Sequence, residues 1–137
     1  MLFLVLTTLL QASSPIRTIG KGPMSGVDAA RQVTVRTSAD LSALWRLHAP
    51  NGQLPQAPAV DFSREMVVGV FLGTRPTAGY GVEIVRTVAP PSGALFVEYV
   101  ETAPSREAIT AQILTAPYHL VAIPKRAGEV RFQKVDK

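Results

Sequence analysis

The sequence predicts a mainly β protein, an antiparallel β-sandwich or strongly curled sheet with one early α-helix over about 38–48. Three observations carry this expectation. Short runs of β-branched and aromatic residues recur at close spacing. Clusters of Pro and Gly punctuate them. One stretch, early in the chain, sets apolar residues at helical spacing. The 137 residues fit one domain, and a chain of that size buries roughly two-thirds of its unfolded surface, enough for a core without covalent staples.

Residues 1–14 begin with an apolar run, from Met1 to Leu10, that has the length of a signal-peptide core and is too short to span a bilayer. Gln11, Ala12, Ser13 and Ser14 supply the small residues of a cleavage site, so the segment predicts export to a periplasmic or secreted location, the other reading being an amino-terminal strand. Residues 15–30 read as a short strand near Ile16 and Ile19 followed by a loop, and the β domain proper as 31–137. The Gly20-x-Gly22 pair does not extend to a dinucleotide fingerprint, because Ser25 stands where a third glycine belongs.

Gln32, Val33, Thr34, Val35 and Arg36 form a strand by composition. Thr37 and Ser38 offer an N-cap, and Asp40 sits in the first turn, where the helix dipole favours a carboxylate. Leu41, Leu44, Trp45 and His48 then fall on one helical face, with Trp45 a core anchor and His48 a partner for the last carbonyls. Pro50, Asn51 and Gly52 end the helix, and a proline-containing connector leads to Asp61, which is placed to accept turn N–H groups, and Phe62, expected to be buried.

Residues 66–72 are apolar without interruption, the pattern of a strand buried on both faces. After the turn chemistry of residues 73–79, Tyr80, Val82, Ile84 and Val88 give the period of a half-buried strand. Further strands are expected at 95–100, at 109–113 (Ile109, Ala111 and Ile113 alternating with Thr110 and Gln112), at 118–123 and at 129–133. Pro117 breaks the second of these four from the third.

Several chemistries find no support. The chain has no cysteine, so neither a disulfide framework nor a thiolate site exists. There is no Gly-x-Ser-x-Gly elbow and no phosphate-cradling loop with its lysine. Only His48 and His119 offer imidazoles, with no metal-ligand spacing, and Glu98 and Glu101 project to opposite faces of a strand. No catalytic residue, metal or cofactor is therefore expected. The net charge of +4 is scattered. Lys125, Arg126, Arg131, Lys134 and Lys137 come closest together but are interrupted by Glu129 and Asp136, unlike a nucleic-acid stripe with interleaved aromatics.

Four pieces in order carry a resemblance: residues 41–45 on the helix, Val60-Asp61-Phe62, residues 70–80, and residues 115–124 with Pro117 and Tyr118. Together they resemble the PrcB C-terminal domain family, over roughly residues 33–132. That resemblance implies a non-enzymatic role, associating with or stabilising an exported peptidase or a surface protein complex. Ala78 stands where the family has the first of two glycines. Residues 75–80 also look like the Asn-Pro-Thr-Thr-Gly-Tyr loop of chagasin-type cysteine-peptidase inhibitors, which would imply inhibition instead. An envelope structural or ligand-binding protein is the third reading.

The expected contact is the loop Thr74, Arg75, Pro76, Thr77, Ala78, Gly79 and Tyr80. Pro76 fixes its own φ and biases Arg75 towards extended backbone. Gly79 can take a positive φ, and Thr77 can bond the turn backbone. Such a loop is pre-organised, which lowers the ordering cost of binding. Arg75 and Tyr80 are residue types favoured as interface anchors. Trp45, Asp61, Phe62, Pro117 and Tyr118 are expected to be structural. The expected partner is a protein, such as an exported peptidase, with no nucleic acid and no membrane span after processing.

Overall fold

The computed structural model describes residues 15–50, 56–91 and 93–136. Residues 1–14, expected from the sequence to direct export, lie outside the described residues. Seven strands and one helix follow in order: β1 (Arg17–Gly22), β2 (Arg31–Val35), α1 (Ser38–His48), β3 (Glu65–Phe71), β4 (Gly81–Val88), β5 (Leu95–Thr102), β6 (Tyr118–Pro124) and β7 (Val130–Lys134). They make a four-stranded sheet, β1-β6-β3-β2, and a three-stranded sheet, β4-β5-β7. The protein is mainly β, as the sequence predicts.

Three layers explain the hydrophobic pattern. One face of the four-stranded sheet packs on the other sheet through Met66, Val68, Val70, Val121 and Ile123, which meet Val82, Ile84, Leu95 and Val97. Its opposite face is covered by α1, where Leu41 and Leu44 lie over Val33, Val67, Phe71 and Leu120. Strands β3 and β6 are central and buried on both faces, which is why neither shows polar alternation. β4, at an edge, alternates buried Val82 and Ile84 with exposed Glu83 and Val85.

The helix begins as expected from local chemistry. Thr37 is extended and its Oγ1 accepts the Asp40 N–H at 3.1 Å. The helix-facing surface of β1 depends on small residues: the Tyr118 ring lies so close that a Cβ on Gly20 would sit 3.2 Å from it, and one on Gly22 3.5 Å. Gly20 therefore makes room for the aromatic ring, while a side chain at Gly22 would be in ordinary contact with it.

Two features differ from expectation. Residues 109–113 form no strand; they run as an irregular segment between β5 and β6. The sheets are also not wholly antiparallel, since β7 pairs with β5 in parallel, Leu95 opposite Val130 through Tyr99 opposite Lys134. The path from β6 through the turn at Gly128 returns the chain beside β5 rather than beside β4, and that direction fixes the parallel sense.

Candidate functional site

The loop leaves β3 at Gly73, whose φ of 79° turns the chain back against residues 28–30. There the Thr74 N–H donates to the Asp28 carbonyl at 3.0 Å. Arg75 is extended, as a residue before proline should be. It forms an antiparallel bridge with Thr115, the Arg75 N–H donating at 2.7 Å and the Thr115 N–H returning at 3.0 Å. Thr77 Oγ1 donates to the Ala78 carbonyl, and Thr115 Oγ1 to the Thr77 carbonyl, both at 2.9 Å. The Ala78 N–H reaches the Ala111 carbonyl at 3.1 Å. Gly79 has a φ of 96°. The Arg75 guanidinium carbon stands 5.8 Å from the centre of the half-buried Tyr80 ring, within cation–π range.

These bonds tie the loop to the segment 103–115, the same stretch that forms no strand. The Ala111 carbonyl and the Thr115 N–H and carbonyl bond the loop rather than a sheet. With no sheet to face, Ile109, Ile113 and Leu114 point outward: Ile109 is fully exposed, Leu114 65% and Ile113 50%. Met24, bridged in parallel to Ala116, is 49% exposed close by in sequence register. Three of the exposed large aliphatic side chains thus stand within six residues of one another, on the segment bonded to the loop. The sequence carried one signal for them, the alternation of Ile109, Ala111 and Ile113, but alternation does not say whether the apolar face looks inward or outward.

Gly79 tests the brace directly. A Cβ there would meet Pro104 Cβ at 2.9 Å and Thr110 Cγ2 at 3.3 Å, on a backbone that side chains resist. Gly79→Ala is expected to cost about 1–2 kcal/mol in urea unfolding and to speed amide exchange at Ala78. An unchanged unfolding midpoint would show that the loop is not fastened to 103–115.

Among the described residues neither histidine ring hydrogen-bonds a carboxylate. His48, 1% exposed, does not cap the helix end as expected; its ring turns inward among Trp45, Phe71 and Tyr118, at centroid distances of 4.8, 5.8 and 4.1 Å. The Ala49 N–H and Gly26 N–H meet the local carbonyls instead. His48 Nδ1 pairs with Ser25 Oγ at 2.8 Å while that oxygen accepts the Val27 N–H. Among the described residues Nε2 has no hydrogen-bond partner, and no third group orients the pair as in a catalytic triad. Burial pushes the His48 pKa down.

His119 is also buried, on the inter-sheet face of β6. Its Nδ1 accepts the Ile84 N–H at 2.8 Å and its Nε2 meets Thr18 Oγ1 at 2.9 Å. Burial and the nearby Lys21 depress its pKa to about 4, against a smaller opposing effect from Glu83.

The remaining expected residues are placed as follows. Trp45 and Phe62 are half-buried and pack on the helix-side core. Asp61 Oδ1 accepts both the Ser63 hydroxyl at 2.6 Å and the Ser63 N–H at 3.0 Å, which holds its carboxyl below the usual range. Pro117 presents its carbonyl to the Leu72 N–H at 3.0 Å, joining the far ends of β3 and β6. Tyr118 is buried and its phenol is pushed up by desolvation.

Among the described residues no three His, Cys, Asp or Glu side chains gather as metal ligands, and no helix is long and apolar enough to cross a membrane. The space between the sheets is filled by side chains such as Val68, Val97 and Ile84. An open groove of about 450 Å³ lies instead outside the sheets, between α1 and residues 56–62.

Residues 66–124 match the PrcB C-terminal family model. That span runs from β3 through β6 and contains both the loop and the segment bracing it, so the resemblance read from the sequence holds there. The helix and the Val60-Asp61-Phe62 piece fall outside the match. Neither a curated protein nor a solved structure matches the chain.

Proposed function

We propose that this protein is a non-enzymatic, exported binding module that associates with a peptidase or its surface complex. Its contact area is the loop at residues 74–80 together with the braced segment 103–115. The observation that carries this reading is the exposed trio Ile109, Ile113 and Leu114, held on a segment whose backbone is bonded to that loop. The PrcB C-terminal match supports it, because that family is an accessory to a protease complex. Binding by such a surface follows from elementary terms. The apolar side chains gain by leaving water, while Arg75 and Tyr80 supply the aromatic and guanidinium anchors common at interface centres. The bonds to Thr115 and Ala111 remove most of the ordering cost in advance.

The test is retention of a peptidase from envelope extract of the native source by tagged residues 15–137. Ile109→Asp with Ile113→Asp, and separately Arg75→Ala with Pro76→Gly, are each expected to lower retention tenfold or more. Circular dichroism should stay unchanged for the first pair, whose side chains touch solvent. Recovery of no peptidase, or equal retention by both variants, would overturn the reading. Titration against papain-like enzymes separates association from inhibition, since an inhibitor of the chagasin type must suppress turnover and an accessory subunit need not.

A further inference from the structure

The sheets leave four strand edges, and three carry the devices that discourage another strand from adding to them. β1 is bulged between Thr18 and Gly20 and bears the Arg17–Glu65 and Lys21–Glu83 ion pairs. β4 is bulged between Ile84 and Arg86. β7 presents Arg131 and Lys134, paired with Glu129 and Glu101. β2 has neither a bulge nor an ion pair, and its one charge, Arg31, stands at its first residue. Its register with β3 is regular from Arg31 to Val35, and Gln32, Val33, Thr34 and Val35 are neutral. Among the described residues its backbone bonds no segment other than β3, so half of its N–H and C=O groups face outward.

This edge is also a groove. On one side a trough of about 350 Å³ separates β2 from α1, lined by Ala43, Leu44 and the 55%-exposed Leu47. Arg31 and Gln32 also line a second trough of about 290 Å³, with Leu72, Arg75, Tyr99 and Glu101. The end of the groove is cationic. Glu101 is held by Lys134 at 3.0 Å, whereas Arg31 and Arg75 make no ion pair among the described residues.

We propose that the outer edge of β2 takes an extended, acidic peptide segment of a protein partner as an added strand, with a carboxylate between Arg31 and Arg75. Main-chain bonds along Arg31–Val35 give the affinity, and the α1 side of the groove accepts alternate aliphatic side chains against Leu47. The carboxylate at Arg31 and Arg75 fixes the end of the peptide through charge-assisted bonds. The idea rests on the protein-binding reading above but uses a different surface, met only at Arg75.

The test is fluorescence anisotropy with the full chain and a fluorescein-labelled heptapeptide alternating valine and threonine between an aspartate at each end. A saturable rise is expected, with amide shifts concentrated at residues 31–35. The same peptide N-methylated at every second residue should bind tenfold more weakly or not at all, because it cannot complete the ladder. Lysine in place of aspartate, or Arg31→Ser in the protein, should weaken binding at least tenfold. Ile109→Asp should leave peptide binding unchanged while reducing peptidase retention, so the two surfaces fail separately. No saturable rise up to millimolar protein would overturn the proposal, as would equal binding of the N-methylated or lysine peptide. Dimerisation through β2 that the peptide fails to reverse would overturn it too, by making a second copy the occupant.

Discussion

Phe71→Ala is expected to lower the free energy of unfolding by about 3–5 kcal/mol, the range for removing a fully buried aromatic ring. Phe71 is 1% exposed at the end of β3 and faces α1. Its ring lies nearly parallel to Tyr118, 6.2 Å between centres, and edge-on to His48 at 5.8 Å. Truncation would empty the volume shared by three rings and remove the support beneath Leu72 and Gly73, from which the loop at residues 74–80 departs. Domains of this kind are stable by about 5–15 kcal/mol, so the variant should melt far lower or populate unfolded chain at room temperature. Phe71→Leu, which keeps most of the volume, should cost about half as much. A loss below about 1 kcal/mol for the alanine variant would mean that the ring is not packed as described.

Stability is expected to fall steeply in mild acid, with His119 the main cause. In the fold its Nδ1 accepts the Ile84 N–H, so the neutral ring carries its proton on Nε2 and donates to Thr18 Oγ1. A second proton would have to enter at Nδ1, opposite a donor, in a buried place. The folded pKa is accordingly about 4 against 6.5 for an unperturbed ring. Between those values the unfolded chain binds more protons than the folded one. Stability is therefore fully present above about pH 6.5 and is lost progressively as pH falls to about 4, below which the loss levels off. At about 1.4 kcal/mol per pH unit, the whole loss is on the order of 3 kcal/mol. His48, also depressed by burial, acts in the same direction. Urea unfolding at pH 7, 5.5 and 4 measures the slope. His119→Gln, which can keep an acceptor near Ile84 but cannot titrate, should flatten it, and an equally steep slope in that variant would assign the acid sensitivity elsewhere.

The two histidines also show how far residue order alone can reach. His119 sits on a strand face with Val121 and Ile123, and the fold puts it in the inter-sheet layer with them. His48 sits on the apolar face of α1, yet its inward turn depends on Phe71 and Tyr118, more than twenty residues away. Likewise the loop at residues 74–80 was legible as a shape, since Pro76 and Gly79 set their own backbone. Its attachment to Thr115 and Ala111 was not, because nothing within a few residues encodes a partner some forty positions on.

By itself the sequence determined what depends on near neighbours. The Thr37 cap and the apolar spacing of Leu41, Leu44 and His48 set the helix. The unbroken apolar run of residues 66–72 required burial on both faces of β3. The positive φ at Gly79 followed from turn chemistry. Only the tertiary structure decided which side of a periodic segment met water. Ile109 and Ile113 alternate as a strand should, but their segment joins neither sheet: Ala111 and Thr115 bond the loop, and the two isoleucine side chains face outward. The parallel seat of β7 and the open edge of β2 have the same origin. Strand pairing is a competition among segments distant in sequence, and its outcome is fixed by which backbone edges remain available once the core has closed.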